Sequence, residues 1–360
     1  MRVSAPSREL AADVERGLRA QPKRLPPKYF YDALGSALFD AITRLPWYLI
    51  SRSEHRLLAR HGPAITAALP TPGASGVTLV ELGCGGGDKT ARIADAFASA
   101  GLRGEIHLVD MSSSALRAAR RRLRRFRGLA IETHDASYEE GLSRMARSRG
   151  HAGASLVLFL GSNIGNFDPP DAVHFLGGIG ERLTAGDCLL LGVDLVKPKR
   201  DLLLAYDDPL GVTGAFNKNL LVRLNRELDA TFDLTAFDHQ AQWNEHARRV
   251  EMHLVSRCPQ RVAIRALDLV VDFDAGESIW TESSYKYEPD EVVSMGLISG
   301  FALEQQWIDQ RARFALTLFR KGNVALKPYA HTVDIPWREH HPPPRRLRRG
   351  VGQAGSQRSG

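Results

Sequence analysis

The chain has 360 residues, 43% hydrophobic and 25% charged, a globular composition that excludes disorder of the whole and leaves room for one large domain or two ordinary ones. Its formal charge is +7, but six arginines against Asp334 and Glu339 account for four of those charges within residues 331–360, so the body is only mildly basic and polyanion binding is not its expected role. There is no apolar leader and no run of 18 apolar residues, and Cys84, Cys188 and Cys258 are too scattered for a disulfide framework or a zinc cluster; a cytoplasmic protein without membrane span or bound metal is expected.

Residues before about 58 show no strand–helix alternation. From about 77 it is regular. VTLVEL, EIHLVD, LAIETHD, SLVLFLG and DCLLLGVDL are short apolar runs, while DKTARIADAF, SSSALRAARRRLRRF and PPDAVHFLGGIGERL carry helical spacing between them. Such alternation predicts βαβ units, a mostly parallel sheet and helices on both faces. It stops near Lys197-Pro198. Beyond it, Phe216, Leu220, Leu224 and Leu228 recur at helical steps, and Val250, Met252 and Leu254 at strand steps, which predicts a helix-plus-strand insertion. PDEVVSMGLISG is again helical, and ALEQQWID and RFALTLFR are strands expected to return to the first sheet. The expected domains are 59–197 with 286–322, and a smaller α+β domain of 15–58 with 198–285; the Pro-, Gly- and Arg-rich residues 331–360 are expected to be a disordered basic tail.

ELGCGGG closes the first of these strands, with Gly83, Gly85 and Gly87 ahead of a helix opened by Asp88, Lys89 and Thr90. Glycines there allow a sharp turn and close backbone approach to a ligand. The next strand ends in Asp110, 27 residues after Gly83, where a carboxylate can accept both hydroxyls of a ribose. The third glycine comes one residue too early for a dinucleotide fingerprint, and the spacing resembles the S-adenosylmethionine site of class I methyltransferases. Lys89 at the helix start suits the cofactor's carboxylate, and Asp135 ends the following strand. FLGSNIGNFDPP puts Asn166 at the carboxyl edge of the sheet, where open α/β sheets bind ligands.

PPKYFYDALGSALFDAITRLPWYLISRSE, ELGCGGGDKT, FLGSNIGNFDPP, GVDLVKP, AYDDPLGVTGAFNKNLL, VEMHL and DFDAGESIWTESSYKY together resemble the L-histidine Nα-methyltransferases of ergothioneine biosynthesis, from about Pro26 to Arg320. The resemblance implies a class I, Rossmann-like fold with a discontinuous second domain, S-adenosylmethionine as co-substrate, and three methylations of the histidine amine to hercynine. It implies that Tyr48, Asn166 and Tyr206 hold the substrate's carboxylate and amine, that Tyr31 lines the same pocket, and that Glu282 and Ser284 bind the imidazole beside Met252. Gly83, Lys89, Asp110, Asp135 and Ala136 match cofactor contacts. Trp47, Leu49 and Ile50 depart from the family's usual neighbours of Tyr48, so a different pocket entrance is expected.

The residue chemistry is consistent with these roles. An imidazole has two nitrogens and a pKa of about 6.5, and a carboxylate and a hydroxyl can grip both. A sulfonium methyl donor is a strong electrophile, so the protein need only present a neutral, aligned and dehydrated amine. Asn166 and Tyr31 are the residues expected to act in catalysis, by orienting that amine. The alternative is another small amine, such as the tryptophan derivatives of similar fungal N-methyltransferases, against which Glu282 argues; a non-catalytic cofactor binder is a further reading. Seven arginines between Arg117 and Arg127 suggest nucleic acid, but their spacing suits a solvated helix face, and no aromatic follows Asp168-Pro169-Pro170 to stack on a base. His246, His253, His340 and His341 lack metal-ligand company. A monomer acting on free histidine is expected.

Overall fold

The computed structural model describes residues 8–70, 76–148 and 153–322. The N-terminal part holds α1 (Arg8–Leu18), the two-residue strand β1 (Lys23–Arg24), a 3-10 turn over Pro27–Phe30, α2 (Ala33–Ile42) and α3 (Leu49–Ala67). The regular alternation follows as β2 (Val77–Leu82), α4 (Asp88–Ser99), β3 (Gly104–Asp110), α5 (Ser113–Leu123), β4 (Leu129–Asp135), α6 (Tyr138–Ser148), β5 (Ala154–Phe159), α7 (Pro169–Glu181) and β6 (Cys188–Asp194). Next come α8 (Lys199–Tyr206), α9 (Val212–Leu228), β7 (Phe237–Asn244), β8 (Arg249–Ser256), β9 (Gln260–Ile264), β10 (Leu269–Phe273) and β11 (Ser278–Tyr285). The chain closes with α10 (Pro289–Ile298), β12 (Phe301–Asp309) and β13 (Phe314–Lys321).

The large sheet has the order β12-β13-β6-β5-β2-β3-β4. Strands β2 to β6 run parallel, and the returning strands β13 and β12 are antiparallel. Strands β2, β5 and β6 are buried along their whole length, which is why they read as continuous apolar runs instead of alternating ones. Their carboxyl ends therefore share one edge with those of β3 and β4, and the loops leaving that edge carry the glycine turn, Asp110, Asp135 and Asn166. A four-stranded sheet of order β1-β11-β8-β7 and the hairpin β9-β10 are built from the segments before and after the alternation. Helix α9 packs on α2, β7 and β8, and its Phe216, Leu220, Leu224 and Leu228 are all buried. No helix among the described residues is long and apolar enough to cross a membrane. The expected tail, with His340 and His341, lies outside the described residues.

Candidate active site

Tyr31, Tyr48, Asn166, Tyr206, Met252, Glu282 and Ser284 line one pocket. Each is delivered by an element end or a strand face. Tyr31 follows the 3-10 turn, Tyr48 is the residue before α3, Asn166 ends a short 3-10 turn over Asn163–Asn166, and Tyr206 ends α8. That Asn166 turn begins after Ser162, a non-glycine residue at φ 60°. Hydrogen bonds from Ser162 N to Gly192 O (3.1 Å) and from Asp194 N to Ser162 Oγ (3.0 Å) hold this strained corner against β6. Phe39 and Phe216 pack edge-on or tilted around Tyr31 and Tyr48 and form the apolar wall.

Strand β11 reaches the pocket through a bulge. Ile279 stands opposite Leu254 and Glu282 opposite Met252, with the register shifting between Trp280 and Glu282. The extra residue re-phases the strand, so that Glu282 and Ser284 occupy the face that Ile279 had before it. Thr281 secures the bulge by donating to Asn217 Oδ1 at 2.8 Å and to Met252 O at 2.9 Å. The pocket's ionisation follows from burial. Glu282 is pushed up to about 7, against the opposing Lys286 charge and a hydrogen bond with the Asn166 side chain. Burial also holds the hydroxyls of Tyr31, Tyr48 and Tyr206 well above the usual phenol range, so all three stay protonated at neutral pH.

The five expected cofactor residues are not part of this pocket's lining but sit along the carboxyl edge of the large sheet. Asp110 and Asp135 end β3 and β4 in register. Asp110 accepts from Gly85 N through Oδ2 (2.9 Å) and from Ser112 N through Oδ1 (2.8 Å), thereby bracing the glycine turn. Ser112, not Asp110, caps α5. The exposed Asp135 accepts from Ser113 Oγ, and the buried Ala136 donates its N–H to Asp110 O at 3.3 Å. Gly83 and Gly87 both have φ of 74°, and a Cβ on Gly87 would stand 2.8 Å from that of Ala119, so the turn needs glycine for backbone and packing alike. A Cβ on Gly85 would meet nothing within 4 Å, leaving the loop open. Lys89 Nζ lies beside Gly161, which does line the pocket. Tyr31 feels the charges of both Glu282 and Asp110 and so lies between the two ends.

Three buried groups escaped the sequence reading. Glu54, from α3, accepts the Gly161 N–H through both oxygens at 2.8 and 3.0 Å and pairs with Lys89 Nζ at 2.6 Å; its signal is Gly192 within DCLLLGVDL, where a Cβ would run into Glu54 Oε1. Glu81, bonded to Thr90 Oγ1, is pushed up to about 8 by burial and the Glu54 charge, against the charge of Lys89. Lys286 is fully buried and donates to Ser284 and Tyr206; its signal was the alternation of Glu282, Ser284 and Lys286. Trp47, Leu49 and Ile50 pack in the core and do not line the pocket, so the expected change at the pocket entrance is not found in its lining. The α5 arginines are exposed while Leu116, Ala119 and Leu123 face inward, the solvated face expected from their spacing. On β3 and β4, His107, Glu132 and His134 come together, but His107 Nδ1 and His134 Nε2 are 3.0 Å apart, a hydrogen bond that accounts for the histidine pair.

A sequence model of the histidine-specific, S-adenosylmethionine-dependent methyltransferases matches residues 10–321. The chain belongs to this family. It is 44% identical over 310 residues to the histidine N-alpha-methyltransferase of Mycolicibacterium smegmatis, covering 86% of this chain and 94% of that protein. With the protein of the same name in Mycobacterium tuberculosis the identity is 42% over 313 residues, covering 87% and 95%. Ergothioneine biosynthesis protein 1 of Schizosaccharomyces pombe is 29% identical over 273 residues, which is 74% of this chain and 35% of that longer protein. The glycine turn of this histidine-specific methyltransferase lies at the carboxyl edge of the large sheet, and the loop after β5 carries Asn166 from the same edge into the polar pocket.

Proposed function

We propose that this protein transfers three methyl groups from S-adenosylmethionine to the α-amino group of L-histidine, giving hercynine, the first step of ergothioneine biosynthesis. The observation that carries the reading is that Glu282 and Ser284 share one pocket with Asn166, Tyr48, Tyr206 and Tyr31. A carboxyl group and a hydroxyl suit the two ring nitrogens, and the amide and phenols suit the amino-acid end. The residues at the sheet edge suit the co-substrate. Asp110 would take the ribose hydroxyls, Asp135 stands where the adenine would sit, Lys89 has N–H donors beyond the one facing Glu54 for the methionyl carboxylate, and the open loop at Gly85 leaves the backbone approachable.

When bound, S-adenosylmethionine supplies an electrophilic methyl group. The protein's part is positioning. With Glu282 ionised, the Asn166 amide nitrogen donates to it, which leaves Asn166 Oδ1 to accept an amine N–H and aim the lone pair. The tyrosines, kept protonated by burial, orient the amino acid and do not take its proton, which leaves to solvent before the transfer. Phe39, Phe216 and Met252 exclude water from the reacting amine.

The test is mass spectrometry of purified protein incubated with S-adenosylmethionine and an equimolar pool of the twenty amino acids. Histidine alone gaining three methyl groups is the expected result. Methylation of tryptophan or another amino acid in its place would keep the fold and co-substrate but remove the assigned roles of Glu282 and Ser284.

A further inference from the structure

Three side chains that do not line the pocket form one hydrogen-bonded row behind it: His239 from β7, Asn217 from α9 and Thr281 at the β11 bulge. His239 Nε2 stands 2.8 Å from the main-chain oxygen of Tyr206, and its Nδ1 stands 2.9 Å from Asn217 Nδ2. Asn217 Nδ2 also reaches His253 O at 3.1 Å, while Asn217 Oδ1 accepts from Thr281 Oγ1 at 2.8 Å. Asn217 is 0% and Thr281 1% exposed, and the His239 side chain is 5% exposed, so a partner lost from this row is not replaced by bulk water.

Two carbonyl groups fix the direction of the bonds. Tyr206 O only accepts, so His239 carries its proton on Nε2. His253 O only accepts, so the amide atom facing it is the nitrogen, and that nitrogen's other N–H points at His239 Nδ1, which must be bare. Burial, aided by the Lys218 charge, lowers the His239 pKa against Tyr206 O and the charges of Asp207 and Asp208, and the ring is neutral at neutral pH as this pattern requires. Turning the amide round would set Oδ1 against His253 O, so Asn217 has one usable orientation and its oxygen is committed to Thr281.

The row starts and ends where the backbone needs an outside tie. Tyr206 is the last residue of α8, among the carbonyls that a helix leaves without an internal partner. Thr281 sits in the bulge that re-phases β11, directly before Glu282. Both ties meet on Asn217. In the histidine reading Tyr206 holds the amino-acid end of the substrate and Glu282 its ring.

We propose that His239 and Asn217 are positioning residues that set the separation between Tyr206 and Glu282, and with it the length of amino acid that the pocket accepts. The inference rests on the histidine reading above and assigns the origin of its length selectivity. Without the row, the end of α8 and the bulge are held apart only by their own elements, and a longer side chain meets less resistance.

The experiment measures kcat and KM for histidine and for homohistidine, whose side chain is one methylene longer. Wild-type protein is expected to prefer histidine by about tenfold or more in kcat/KM. His239→Leu, which removes both ring nitrogens, is expected to raise KM for histidine about tenfold, to leave KM for S-adenosylmethionine within about twofold, and to cut the preference at least about threefold. His239→Gln, which keeps an N–H for Tyr206 O and an oxygen for Asn217, is expected to restore most of both effects. Thr281→Val cuts the far end of the row; combined with His239→Leu, it is expected to reduce the preference by less than the product of the two single effects, because both act through Asn217. If the variants lose activity through kcat, or lose thermal stability, while keeping the wild-type KM and preference, the row is only structural and the inference falls. It falls equally if wild-type protein methylates homohistidine as efficiently as histidine, an arm that needs no variant to fold. Failure of wild-type protein to methylate histidine at all would instead remove the functional reading beneath it.

Discussion

A carboxyl group that titrates near neutrality inside a substrate pocket makes recognition depend on pH. Glu282 stands at about 7 because burial penalises its charge more than Lys286 and Asn166 support it. In the proposed reading it grips the ring N–H most strongly as a carboxylate, so kcat/KM for histidine should fall as pH drops through 7. The substrate's amine and imidazole also titrate, but they do so equally in a variant. Glu282→Gln should therefore lose one proton's worth of slope from the acidic limb measured between pH 5.5 and 8.5; an unchanged limb would remove the carboxyl from the recognition step. Asn166 bonds Glu282 with one side of its amide, and in the proposed reading it offers the other to the amine. Asn166→Ala should lower kcat/KM by about 10²-fold or more through lost alignment. Wild-type efficiency in that variant would end the orienting role.

Strand β2 and helices α3 and α4 meet at a cluster with more acid than base: Glu81, Glu54 and Lys89. Burial, with the Glu54 charge added, pushes Glu81 up to about 8 against the pull of the one ammonium, Lys89. Its folded-state pKa lies above the unfolded value, so its contribution to stability is complete below about 4.5 and is lost as pH rises through 8. Glu81→Gln should gain stability relative to wild type between pH 6 and pH 9.5, by on the order of 3 kcal/mol. A melting difference independent of pH would mean that Glu81 is ionised in the folded protein throughout. The alternating strands and helices of this region were legible in the sequence to within about two residues, because burial on both faces writes them as apolar runs. Helices α1, α2, α3, α6 and α8 were not. Nor was the bulge at Thr281: its phase shift comes from pairing with β8, and by local alternation alone Glu282 could face either side. Six of the seven pocket residues, all but Asn166, come from segments outside the regular alternation, and only the family motifs singled those six out as site residues.

At the scale of the whole chain, the pocket draws Tyr31, Tyr48, Tyr206, Met252, Glu282 and Ser284 from the segments around the small sheet, and Asn166 from the large one. We propose that these are two domains closing on the amino acid, with the first boundary before Leu49 instead of at 58/59, since α3 is one continuous helix that packs on α4 and carries Glu54 into the large sheet. Both sheets are complete by Lys321. That residue is tied to β6 from both sides, through Lys321 N to Asp187 O at 2.7 Å and Gly186 N to Lys321 O at 2.9 Å. A chain ending after Leu326 thus keeps every strand pairing among the described residues and every candidate site residue, while removing the six arginines of residues 331–360. Its kcat/KM for histidine should stay within about twofold of the full chain, and its melting temperature within about 2 °C. A tenfold loss with unchanged melting would assign residues 327–360 a part in catalysis, whereas a lowered melting temperature would give them a share in the stability of the fold.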